Sequence, residues 1–127
     1  MRKPKLNIAI IDDERHAIET LAYDLRESFP QSIQIVFTET NPFEGARQAR
    51  LFNPDILFLD VMMPGLSGFE LIKLINDLST KVILTTAHPE MLTVSREAGA
   101  SDCLLKPVSI PELEDILNKT MILLRQK

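Results

Sequence analysis

Asn53-Pro54-Asp55-Ile56-Leu57-Phe58-Leu59-Asp60-Val61-Met62-Met63-Pro64-Gly65-Leu66-Ser67-Gly68 is the stretch that decides the fold. Four consecutive apolar residues, Ile56 to Leu59, lie between two aspartates, and Pro-Gly and Ser-Gly turn chemistry closes the segment. A half-exposed strand would alternate polar and apolar residues. A continuous apolar run of this length reads instead as a strand buried on both faces. It ends on Asp60, and in an open parallel sheet the ligand crevice lies at the carboxyl ends of the strands.

The totals fit a single domain. At 127 residues the chain can bury one proper core but not two. With 18 acidic against 14 basic side chains the surface lacks the basic character that direct nucleic-acid binding by this segment requires. The N-terminal Met1-Arg2-Lys3-Pro4-Lys5 is basic, but the apolar run behind it stops at Asp12-Asp13, unlike a secretory leader. No stretch reaches the roughly 18–20 apolar residues that span a bilayer. Cys103 is the single cysteine, which excludes an intrachain disulfide and makes a reducing, cytoplasmic location the expectation.

Working outward, strands and helices alternate. Leu6 to Ile11 is a second buried strand running into Asp12-Asp13. Ile18, Leu21, Ala22, Leu25 and Phe29 form the stripe of an amphipathic helix, stopped by Pro30. Ile33 to Phe37 reads as an edge strand, interrupted by Gln34. Asn41-Pro42 offers an N-cap with proline at the first helical position, and Phe43, Ala46 and Ala49 continue that helix. Ser67-Gly68-Phe69-Glu70 has capping-box spacing, followed by Leu71, Ile72, Ile75 and Leu78. Lys81 to Thr86 is a strand, Pro89 to Ala98 a weak helix ended by Gly99, and Asp102 to Leu105 a short strand. Ser109-Ile110-Pro111-Glu112 is a second capping box, opening a helix with Leu113, Ile116, Leu117, Thr120 and Leu124 on one face. Five alternations with connections too long for hairpins predict a parallel sheet with helices on both faces.

Four strand ends then carry polar groups: Asp12 and Asp13, Asp60, Thr85-Thr86, and Lys106. Carboxylates crowded in a cleft raise one another's pKa unless a cation joins them. An all-oxygen site with retained waters suits Mg²⁺. Phosphoryl transfer asks mainly for alignment and charge neutralisation, which a metal, a lysine and a hydroxyl around a nucleophilic aspartate supply.

The set Ile11-Asp12-Asp13-Glu14, Leu59-Asp60-Val61-Met62-Met63-Pro64-Gly65, Thr85-Thr86-Ala87 and Leu105-Lys106-Pro107 resembles the receiver domain of two-component response regulators. The likeness covers essentially all of residues 1–127. Thr85-Thr86-Ala87-His88 and Leu104-Leu105-Lys106-Pro107-Val108 are similar to receivers that precede LytTR-type DNA-binding domains. The resemblance implies a flavodoxin-like, doubly wound five-stranded sheet in the order 2-1-3-4-5. It implies Mg²⁺-dependent phosphorylation of Asp60 by a sensor histidine kinase and regulation of transcription through an output domain. It implies Mg²⁺ held by Asp13, Asp60 and the Met62 main-chain carbonyl, with Asp12 bound through water. Thr86 and Lys106 would contact the phosphoryl group, Ala87 is carried over as a cofactor-binding position, and the Lys106-Pro107 bond is expected to be cis. Such a chain is a signalling phosphoacceptor rather than an enzyme, catalysing only its own phosphotransfer and slow autodephosphorylation. Receivers commonly carry an aromatic switch residue where this chain has Cys103, so signal propagation departs from the family pattern here.

Blander readings stand beside these. A lone aspartate at a strand end is usually a capping or solvated residue, and it is the company of Asp12, Asp13, Thr86 and Lys106 that singles out Asp60. Glu14 reads as a first-turn acid favouring the helix dipole, His16 as a solvent-facing helix residue, and Cys103 as a small buried hydrophobe. His88 and Met62 either tune the lifetime of the phosphoryl group, as the resemblance implies, or are plain loop residues. Met121 to Leu124 is apolar at four consecutive positions, too wide for one stripe. It is either a fraying end or a contact for a homodimer or an output domain. Two rival functions remain: a phosphorylation-silent docking domain, and an aspartate-nucleophile phosphatase of the haloacid-dehalogenase kind. The second wants an aspartate at position 62, where this chain has Met62.

Overall fold

The computed structural model describes residues 4–126, so the start of the basic N-terminal run lies outside the described residues. The apolar runs form β1 (Leu6–Ile11), β2 (Ile33–Glu39), β3 (Ile56–Asp60), β4 (Lys81–Thr86) and β5 (Asp102–Leu105). Every pairing is parallel and the order is β2-β1-β3-β4-β5, the doubly wound, flavodoxin-like sheet with β2 at an edge. Between the strands run α1 (Arg15–Ser28), α2 (Pro42–Phe52), α3 (Gly68–Ile75) and α4 (Met91–Val94), and α5 (Ile110–Arg125) follows β5.

The unbroken apolar runs are explained by packing on both faces of the sheet, so the chain buries two core clusters where its length alone predicts one. Ile8, Ile10, Ile56, Phe58 and Ile83 pack with Ile18, Ala22 and Leu25 of α1 and Leu113, Ile116 and Leu117 of α5. Their neighbours Ala9, Ile11, Leu57, Leu59, Val82 and Leu84 pack with Ala49 of α2 and Leu71, Ile72 and Ile75 of α3. Each large side chain fully buried this way contributes roughly 1.5–3 kcal/mol, against about 1 kcal/mol for a helix cap. Burial therefore holds the helices to the sheet, while the caps decide where they begin. Asn41 accepts from the Phe43 and Glu44 N–H groups, and Ser67–Glu70 and Ser109–Glu112 are complete capping boxes, all as the sequence predicts.

Elsewhere the structure corrects the expectation. Phe43, one of the apolar residues expected to continue α2, lies within that helix but is exposed. Gly45 takes the inward position, because a Cβ there would lie 2.6 Å from Ile11 Cδ1. Residues 89–98, expected as one weak helix, are a single α turn, Met91–Val94, running into a 3₁₀ turn, Ser95–Ala98. The Thr93 hydroxyl donates to the Glu90 carbonyl and the Ser95 hydroxyl to the Met91 carbonyl, back-bonding that competes with a regular helix. Gly99, at φ +90°, ends the segment. The buried stripe of α5 stops at Thr120, so Leu124, expected on it, is exposed together with Ile122 and Leu123.

At the carboxyl end of β3 the packing tolerance is smallest. A Cβ on Gly68 would sit 2.5 Å from the Asp60 carbonyl oxygen and 3.1 Å from Val61 Cα, both backbone atoms that cannot rotate away. Gly68→Ala is expected to cost about 2 kcal/mol by overpacking. Gly99→Ala, whose Cβ would find its nearest neighbour at 3.8 Å, is expected to cost about 1 kcal/mol through its left-handed backbone alone. Urea unfolding of the two variants checks this order, and equal costs would contradict the close approach at Asp60.

Candidate functional site

The sheet topology brings Asp12 and Asp13, just beyond β1, beside Asp60 at the end of the adjacent β3. One carboxylate oxygen from each lies within 4.8 Å of the others, which makes these three a group able to hold a metal ion. Asp12 and Asp60 are only 4% and 6% exposed, whereas Asp13 faces solvent. Lys106, just beyond β5, reaches over the sheet and donates from Nζ to Asp12 Oδ2 at 2.8 Å, with Asp60 Oδ1 at 3.3 Å. The other oxygen of Asp12 accepts the Glu14 N–H at 2.9 Å. Glu14 is thus the N-cap residue of α1 and stands one position outside the first turn in which the sequence placed it.

Burial and the neighbouring Asp12 charge push the Asp60 carboxyl up to about 7, with Lys106 pulling the other way. Burial works to lower the Lys106 ammonium, but the Asp12 hydrogen bond and the charges of Asp60 and Asp12 outweigh it and raise it. One lysine among three acids leaves a surplus of negative charge in a partly dehydrated site. All-oxygen donors in that state suit a hard divalent cation, so the residues present fit one. They also place a carboxylate and an ammonium where a phosphoryl group could be received.

The remaining candidates take different positions. Thr86, at the end of β4, is 1% exposed, and its hydroxyl accepts the His88 N–H at 3.0 Å. The Thr86 carbonyl accepts the Lys106 N–H at 2.7 Å, which ties the two strand ends together. Thr85 is buried. Met62 and His88 are exposed, and His88 Nδ1 lies 3.6 Å from Glu90 Oε1. His16 is exposed, as expected. Ala87 shares with Asp12 and Lys106 a groove of about 420 Å³ beside α1, completed by apolar Ala17, Leu21, Pro107 and Val108. The Lys106-Pro107 peptide is cis. Cys103 is not brought to the acids. It borders a separate cavity beneath the 3₁₀ turn and is only half buried, rather than the fully buried hydrophobe expected.

Two residues with structural weight escaped the sequence reading. Gly68 was read as turn chemistry, yet it lets α3 approach the Asp60 backbone, and its N–H donates to the Val61 carbonyl at 2.8 Å. Asp55, the other aspartate flanking β3, has a purely structural place: its carboxylate accepts the Asn7 N–H at 2.8 Å. Among the described residues no helix is long and apolar enough to cross a membrane.

Residues 8–118 match the family model described as response regulator receiver domain. The chain is 35% identical over 123 residues to the transcriptional regulatory protein BtsR of Escherichia coli K12, covering 96% of this chain and 49% of that protein. It is 34% identical over 119 residues to the sensory transduction protein LytT of Oceanobacillus iheyensis, covering 91% of this chain and 48% of that one. It spans about half the length of the curated relatives it matches. The signal receiver domain of the putative response regulator NarL from Mycobacterium tuberculosis superposes with a TM-score of 0.83 at 24% identity, covering 94% of this chain and 98% of that domain, a likeness of fold. The chain belongs to the response regulator receiver domains of two-component systems.

Proposed function

We propose that the domain, residues 1–127, accepts a phosphoryl group on Asp60 from a sensor histidine kinase and passes the change on as an altered protein-binding face. The observation that carries this reading is the meeting of Asp12, Asp13 and Asp60 within 4.8 Å, with Lys106 bonded to Asp12 and close to Asp60. In the transfer an Asp60 carboxylate oxygen bonds to phosphorus while the P–N bond of the phosphohistidine breaks and the imidazole leaves with the electron pair. Lys106 supplies a fixed positive charge for the incoming oxygens, and the Thr86 hydroxyl is the donor at the neighbouring strand end. Asp13, Asp60 and the Met62 carbonyl are the candidate ligands for Mg²⁺, with Asp12 acting through water and Ala87 bordering the same site. When bound, the cation supplies charge that neutralises the acids and the transferring group. The groove beside α1 gives a partner helix an approach to this centre.

The chain is a signalling component that turns over only its own phosphoryl group, acting in the cytoplasm. BtsR is named a transcriptional regulatory protein, and the half of each relative lying outside the match is where an output domain would sit. The reading that follows is regulation of transcription through such a domain, with the exposed Ile122, Leu123 and Leu124 of α5 as its contact or as a dimer face. The intact acids and Lys106 argue against a phosphorylation-silent docking module.

Acetyl phosphate with Mg²⁺ is expected to give one phosphoryl adduct by intact mass, absent in Asp60→Asn and formed on the order of 10²-fold more slowly after chelation of the metal. No adduct, or one that persists in Asp60→Asn, contradicts the reading. Stability gives a second check. Asp60 is raised to about 7 in the folded chain, against about 3.9 unfolded, so its contribution to stability is complete below about pH 4 and is lost as the pH rises through about 7. Without divalent ions at pH 8, Asp60→Asn is therefore expected to be more stable than the parent by about 2 kcal/mol, half of what the whole shift implies, because water reaches the cluster at Asp13. The gap should close toward pH 4. Urea unfolding at both pH values measures it, and a variant no more stable at pH 8 would contradict the charge surplus.

A further inference from the structure

A continuous hydrogen-bonded path leads from the end of β4 into the shortest helical segment of the fold. The Thr86 hydroxyl accepts the His88 N–H at 3.0 Å. The His88 carbonyl accepts the Met91 N–H at 3.0 Å, and the Met91 carbonyl accepts the Ser95 hydroxyl at 2.7 Å. Thr86 and Ser95 are each 1% exposed, so water does not compete for either hydroxyl, and breaking these bonds without replacement leaves buried polar atoms unpaired.

The segment that receives this path is built to give way. Met91–Ala98 is one α turn joined to a 3₁₀ turn, a short combination. Among its described side chains Ser95 alone is buried. Few buried apolar contacts mark an element of low local stability. Beneath it, against β5, lies a cavity of about 540 Å³ lined by Leu92, Ser95, Ala100, Ser101, Asp102 and Cys103. The small Cys103 side chain leaves that space open, and burial keeps its thiol neutral. The segment thus has one buried hydroxyl, Ser95, tied to the Met91 carbonyl and lying beside Cys103, and space next to it.

We propose that Ser95 is a positioning residue for the acceptor site, its hydroxyl holding residues 88–98 wound so that the Thr86 hydroxyl stays tied to His88. This rests on the phosphoacceptor reading of Asp60. When a phosphoryl group engages Thr86, the His88 N–H loses its acceptor, the turn loosens, and Ser95, which already lines the cavity beside Cys103, gives up the Met91 carbonyl and moves further into that space. The wound and loosened forms are two states of one element, and coupling between two sites is reciprocal. Whatever weakens the Ser95 tether must therefore tighten binding at Asp60, and whatever fills the cavity must weaken it.

The test is titration of the whole chain with beryllofluoride and Mg²⁺, a phosphoryl mimic, by calorimetry, with deuterium uptake followed across residues 88–99. Ser95→Ala is expected to bind the mimic about three- to tenfold more tightly and to exchange faster in this segment before any ligand is added. Ser95→Thr, which keeps the hydroxyl, should behave as the parent. Cys103→Leu, which fills the cavity from β5, should bind the mimic more weakly by a similar factor and show a smaller rise in exchange on binding. Unchanged affinity in both Ser95→Ala and Cys103→Leu, or a change of the same sign in both, would overturn the tether. Absence of binding to the parent chain, or equal binding to Asp60→Asn, would instead overturn the phosphoacceptor reading beneath it.

Discussion

Three carboxylates share one end of this sheet with a single ammonium, and the rest of the structure is arranged around that imbalance. Asp12 and Asp60 are almost fully buried, and Lys106 bonds to one and lies 3.3 Å from the other. Removing charges from water costs several kcal/mol per ion unless partners compensate. One lysine compensates in part, and the remainder appears as an Asp60 carboxyl raised to about 7. The cluster therefore carries a surplus of negative charge that a hard cation would offset.

That imbalance can exist only because the apolar framework overrides it. β1 and β3 are adjacent and each is buried on both faces, so the strand ends that carry Asp12, Asp13 and Asp60 are fixed by packing on two sides. Gly68 lets α3 close over the end of β3 at a distance no side chain would permit, and the Lys106 N–H bond to the Thr86 carbonyl ties the other rim. A rigid floor thus faces a soft wall, since the segment after His88 is a broken helix with one buried hydroxyl. Chemistry that depends on alignment uses the first, and a change of state uses the second.

Much of this was legible in the residue order because strand ends announce themselves. An apolar run stopping at Asp12-Asp13, at Asp60 or before Lys106 says both that a strand is buried and what it presents at its end, and the topology then brings those ends together. The caps at Asn41, Ser67 and Ser109 were equally readable, since each is a local contract between neighbouring residues. What escaped depends on atoms far away in the chain. Phe43 is apolar yet exposed, and Gly45 faces inward because Ile11 occupies the space a Cβ would need. The change from an α to a 3₁₀ turn at Ser95 coincides with its hydroxyl bonding the Met91 carbonyl, a contact that propensity does not foretell. The position of Cys103, away from the acids and over an open cavity, follows from how β5 sits at the sheet edge.

The central claim is that Asp60 is held in a surplus of negative charge that a divalent cation would relieve. Its most direct test is the titration of the Asp60 carboxyl carbon by NMR, with and without Mg²⁺. The account predicts a midpoint near 7 in the absence of divalent ions, falling steeply when Mg²⁺ is added. A midpoint in the ordinary carboxylate range that does not respond to Mg²⁺ would contradict it.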